Sequence, residues 1–109
     1  MSASGNRLPM LEDCGIILRT SQSGGSLNKL SDDGCLNLYA DRLEFRIGGE
    51  VYKSFPINEI KGLNVQFSSQ LEFISDHAVY RFSGKNGVMN AYKWVMAIGA
   101  VKNNNIKRG

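Results

Sequence analysis

The chain has 109 residues, 42% of them apolar and 21% charged, with thirteen Lys and Arg against ten Asp and Glu for a formal charge of +3. That length holds one domain with a single core and no second lobe around a deep cleft, and the composition excludes a wholly disordered chain. Part of the basic excess is terminal (Lys102, Lys107, Arg108), with none of the one-faced clustering that nucleic-acid binding requires, and no apolar run reaches the ~18 residues of a membrane span.

The opening "MSASGNRLPM" lacks the charged start and apolar centre of a signal peptide, so residues 1–13 are expected to be a flexible lead-in. "CGIILRT", 14–20, suits a buried strand with Ile17 inward. "SQSGGSLNKLSDDG", 21–34, carries Gly-Gly and Asp-Asp-Gly and reads as a long polar loop. From Cys35 the pattern alternates with period two. Leu43, Phe45 and Ile47 face one way and Arg42, Glu44 and Arg46 the other. Gly48-Gly49 is a two-residue hairpin loop, and Pro56, which has no N–H to donate, ends the returning strand or places it at an edge. "KGLNVQF", "LEFI" and "AVYRF" continue the alternation, with "SSQ" and "SDH" as the turns between them. Strands are expected near 15–20, 35–40, 42–47, 51–55, 61–67, 70–74 and 78–83.

After "SGKNG" the period becomes helical. Over 88–101, Val88, Ala91, Tyr92, Val95 and Ile98 form the stripe expected to pack on the strands, with Asn86 or Ser83 as the N-cap. Met89, Trp94, Met96 and Ala100 then fall at or beyond the border of the buried face. Exposed Trp and Met are typical anchors for a partner surface.

The residues offer little chemistry. Cys14 and Cys35 form no metal motif with the single His77; two cysteines in so short a chain could pair, and the expectation is two buried thiols in a reducing compartment, since the framework is not disulfide-dense. The acids sit in loops (Asp32, Asp33, Asp76) or on polar strand faces (Glu44, Glu72), which gives no paired carboxylates for acid–base work. His77 in "SDHAV" reads as a turn residue. "SGKNGV" places Lys85 before a helix but lacks both the P-loop spacing and its Ser or Thr, so it reads as a connecting turn on which an anion could rest.

"LNLYADRLEFR", then "FPINEIKGLNV", "LEFIS", "YRF" and "AYKW", together resemble a bacterial PH-like or GRAM-like module over about residues 34–101. They are also similar to the C-terminal β-modules of some bacterial lysophospholipid acyltransferase-type proteins. The resemblance implies an adaptor that positions a parent protein against a membrane or another protein. No "HxxxxD" pattern occurs, so the implied acyltransferase chemistry would lie on another part of the parent. Members that grip phosphoinositides carry several basic residues in the first inter-strand loop, where 21–34 offers Lys29 alone beside Asp32 and Asp33.

The expected fold is mainly β (α+β): a PH-like barrel or sandwich of about seven antiparallel strands capped by one C-terminal α-helix. It should span 14–102 between the lead-in and a flexible tail at 103–109. The expected function is a non-catalytic interaction module appended to a larger protein, in the cytoplasm or at the inner face of the membrane, with no cofactor, metal, nucleic acid or small-molecule substrate. Its partner surface, for another protein or a second copy, would be Met89, Lys93, Trp94 and Met96. An alternative surface for anionic lipid would be Arg42, Arg46, Lys53 and Lys85. A small ligand carrier is the third reading, opposed by the many Phe, Tyr and Leu assigned inward.

Overall fold

Paired glycines at positive φ, Gly48 (61°) and Gly49 (84°), turn strand β3 (Arg42–Ile47) into β4 (Glu50–Pro56) with Ile47 opposite Glu50. Asp76 and His77, at φ 51° and 66°, do the same between β6 (Gln70–Ser75) and β7 (Ala78–Gly84). These features come from a computed structural model that describes residues 8–22, 25–85 and 89–108, with side chains through Asn105. The remaining elements are β1 (Leu11–Gln22), β2 (Asn28–Leu38), a 3₁₀ turn at Ile57–Glu59, β5 (Lys61–Gln66) and helix α1 (Ala91–Arg108).

The seven strands form one antiparallel sheet in the order β4-β3-β2-β1-β7-β6-β5. β1 is central because its two edges are used in turn, pairing β2 on one side and β7 on the other. The sheet does not close, and β4 and β5 are its edge strands, which is where Pro56 can be tolerated. It does fold over itself. Phe55 of β4 lies 5.0 Å from Phe73 of β6 and 4.8 Å from Tyr80 of β7, ring centroid to ring centroid, so the β4 end of the ladder meets β6 and β7 across the core. Phe45, Phe82, Leu18, Leu36, Leu38 and Leu71 fill the space around them. The fold is therefore mainly β with a C-terminal helix, as expected.

Several local expectations fail, each for a physical reason. Gly15, at φ +70°, breaks the β1–β2 register after Cys14, so Ile16 and Leu18 are buried and Ile17 is only half-buried. β1 begins at Leu11, inside the supposed lead-in. The supposed loop 21–34 is strand from Asn28 onward, because β1 and β2 continue as a ribbon in which Arg19 faces Lys29 and Thr20 faces Asn28. That stretch of β2 has exposed side chains and so shows no apolar alternation, although its backbone is paired. The helix begins at Ala91 and runs to Arg108, through the supposed tail. Asn90 caps it by accepting the Lys93 N–H at 3.1 Å. Ser83 lies in β7, and Asn86 and Val88 lie outside the described residues.

The cysteines are the largest correction. Cys14 and Cys35 are register partners on adjacent strands and form a disulfide with an S–S distance of 2.02 Å. Cys14 is exposed and Cys35 half-buried, so they are not the two buried thiols expected. Leu36 and Leu38 take the core face of β2, which leaves Cys35 on the outer face.

Candidate interaction surface

Helix α1 is held by one apolar stripe and three polar fastenings, one to strand β1 and two to the connections between strands. Ala91, Trp94, Ile98 and Val101 repeat at intervals of three and four and are all buried, and Met89 joins them from just before the helix. The Trp94 Nε1–H donates to Asp13 Oδ2 at 2.6 Å, which lets the indole be wholly buried with its polar edge satisfied. The Lys102 ammonium donates to the Ile60 carbonyl, and Asn105 Nδ2 donates to the Ala40 carbonyl at 3.3 Å.

The outward face is correspondingly fixed. Tyr92 is 58% exposed and Met96 75% exposed, one turn apart, with Lys93 and Ala100 also exposed beside them. Lys93 makes no ion pair among the described residues. The expected partner set therefore divides. Lys93 and Met96 are on the surface, whereas Trp94 and Met89 belong to the core and are not surface anchors. Tyr92, assigned to the core from its spacing, is the residue that takes Trp94's place outside. The spacing of Tyr92 and Met96, four apart, was the available signal. The stripe drawn through Val88, Ala91, Tyr92, Val95 and Ile98 instead put Tyr92 inward and Trp94 at its border, the reverse of their burial.

The four residues proposed for anionic lipid do not converge. Arg42 and Arg46 flank Glu44 on the outer face of β3: Arg42 Nε reaches Glu44 Oε2 at 2.6 Å and Arg46 Nη1 reaches Oε1 at 2.8 Å. The hydrogen bond to Glu44 holds the Arg42 guanidinium above its ordinary range, against the opposing effect of desolvation, and Asp41 adds to the rise. Lys53 is the register partner of Phe45 and so shares the core face. Its ammonium lies 5.5 Å from the Tyr80 ring centroid and 5.9 Å from that of Phe55. Lys85 is paired with Asp33 at 3.4 Å. Three of the four cations thus have carboxylate partners, and the fourth faces the opposite side of the sheet.

Glu44 itself is buried, at 6% exposure, between its two arginines. Glu44→Gln is expected to cost about 1–3 kcal/mol, because both guanidiniums keep their positions and lose the charge between them. The measurement is the urea midpoint at neutral pH, which should fall in the variant and stay unchanged in a control at exposed Glu50.

His77 is exposed in its hairpin turn and lines a surface depression of about 370 Å³ with Asn58, Glu59, Lys61, Ile74 and Asp76. None of these is a Ser, Thr or Cys that the imidazole could activate. Among the described residues there is no group of three or more His, Cys, Asp or Glu placed to hold a metal ion, and no helix long and apolar enough to cross a membrane. No protein-family model and no curated protein matches the chain.

Proposed function

We propose that the chain is a non-catalytic, PH-like interaction module that docks a protein surface on the outer face of α1, in the first instance a second copy of itself. The observation that carries this is the pair Tyr92 and Met96, standing exposed on a helix that Trp94 fastens to β1, Lys102 to the residue before β5 and Asn105 to the connection between β2 and β3. A fixed helix presents its outer side chains with little ordering cost on binding. A Cβ built on Gly99 would meet nothing within 4 Å, which leaves room for a second helix to approach closely beside Met96 and Ala100. A two-fold contact would place the same patch on both copies.

The PH-like part of the reading is supported by the strand order, a seven-strand antiparallel succession with the helix after β7. A fold of this kind says little about activity, so the functional reading rests on the helix face. The location proposed is cytoplasmic, a compartment in which disulfides are rare and those present are transient or redox-sensing.

Light scattering across a concentration series tests the reading. The mass is expected to rise from one copy toward two. Met96→Asp should hold it at one copy throughout while leaving the circular dichroism unchanged. A native chain that stays monomeric at every concentration removes the second copy as partner.

A further inference from the structure

The residues around the Cys14–Cys35 bond do more than pair two strands. On one side of Cys14, Asp13 accepts the Trp94 indole N–H. On the other side, Gly15 interrupts the register, and its carbonyl accepts the Lys85 N–H at 2.7 Å, just beyond the end of β7. The sulfur of Cys14 is therefore bracketed by the contacts that fix α1 and the final strand. The bond is also reachable. Cys14 is exposed and lines a surface depression of about 240 Å³ with Asp13, Met89, Asn90 and Lys93. Cys35 lines a second, of about 360 Å³, with Arg46, Glu12 and Asn37.

We propose that the Cys14–Cys35 disulfide is a thiol–disulfide exchange site, opened by a dithiol reductant, and that opening it loosens the hold of β1 on Trp94 and hence on α1. The thiolate of the reductant attacks Sγ of Cys14, the more exposed of the two residues, and the S–S bond breaks. Cys35 leaves as a thiolate and takes a proton. Arg46, its register partner on β3, lies on the same face as the departing charge, with its guanidinium shared with Glu44 and the Gly49 carbonyl. The reductant's second thiol then attacks its own sulfur in the mixed disulfide and releases Cys14. Two electrons and two protons pass to the protein, and the reductant ends as a disulfide.

Opening removes the covalent tie at a point where the ladder is already irregular, between Cys14 and Ile16. Asp13 is then positioned by strand pairing alone. The exchange itself is independent of the docking role proposed for α1. Only its consequence for a partner rests on that role, and the readout below involves no partner, so the two fail separately.

The full chain, purified without reductant, is treated with iodoacetamide before and after dithiothreitol and weighed intact. No label is expected before reduction and two labels after it, with the β-sheet circular dichroism retained. On reduction the Trp94 emission should shift to the red, and amide exchange over 91–98 should accelerate by about tenfold or more. The Cys14→Ala/Cys35→Ala variant should show the reduced-state emission whether or not the dithiol is present. Labelling of both cysteines before reduction overturns the proposal, as does a bond that opens only in denaturant. Unchanged emission and exchange after opening overturn the link to α1, and loss of the whole sheet signal overturns its local character.

Discussion

Trp94→Ala is expected to lower stability by about 3–5 kcal/mol, a large share of the ~5–15 kcal/mol that holds a domain of this size together. The ring is fully buried and is the largest of the wholly enclosed side chains. Truncation would open a void between α1 and the sheet, where Ile98 and Val101 line the same stripe and cannot close it without moving the helix. It would also leave Asp13 without its donor. The two effects separate in Trp94→Phe, which keeps most of the ring and loses only the N–H, for an expected cost of about 1–2 kcal/mol. Urea titration followed by circular dichroism checks both. A Trp94→Ala midpoint within error of the native one would mean that the helix is not held by this residue, and the fixed presentation of Tyr92 and Met96 would go with it.

The same residue shows where reading the sequence succeeds and where it stops. Alternation is local, so the strands from Leu36 to Phe82 were legible, and so were the inward positions Leu43, Phe45, Phe55, Leu71, Phe73, Tyr80 and Phe82. The hairpins at Gly48-Gly49 and Asp76-His77 were legible because turn chemistry is local as well. The phase of α1 was not. Tyr92 and Trp94 lie two residues apart, on nearly opposite sides of the helix, and which of them turns inward is decided with the help of Asp13, 81 residues earlier in the chain. Periodicity carries no information about that partner.

Other failures share this cause. The polar stretch 28–33 is strand because β1 lies beside it, and its own side chains give no sign of that. Cys14 and Cys35 looked like separate thiols until the β1–β2 register set them opposite each other. For the candidate site, exposure of Lys93 and Met96 was readable, whereas the pairing that neutralises Arg42, Arg46 and Lys85 was only partly so. Glu44 sits two residues from each arginine, on the same face of one strand, and that neighbourhood was visible. Asp33 is brought to Lys85 from 52 residues away.

Gly34 was read as part of a turn signal, and the structure gives it a different task that predicts the second large effect. It lies within β2 opposite Ile16, where a Cβ would come within 2.3 Å of Phe45 Cζ, 2.7 Å of Phe45 Cε2 and 2.8 Å of the Arg46 carbonyl oxygen. No real Cβ is found that close to a heavy atom, so something must move. The Phe45 ring is fully buried and packs against Phe82 at 5.9 Å and Tyr52 at 6.4 Å, so it has nowhere to retreat. The carbonyl belongs to the backbone of β3 and moves only with the strand. Gly34→Ala is therefore expected to cost about 3 kcal/mol, the upper end for adding one methyl to a packed interior. Phe45→Leu removes the ring half of the clash and leaves the carbonyl half. The double variant should accordingly be more stable than the sum of the two single losses by about 1 kcal/mol, while remaining below Phe45→Leu alone. Thermal and urea unfolding of the four proteins close this cycle. Strict additivity would show that β2 absorbs the methyl by shifting away from β3. In that case the ladder Cys35–Arg46, Leu36–Phe45 and Asn37–Glu44 would be looser than its register implies.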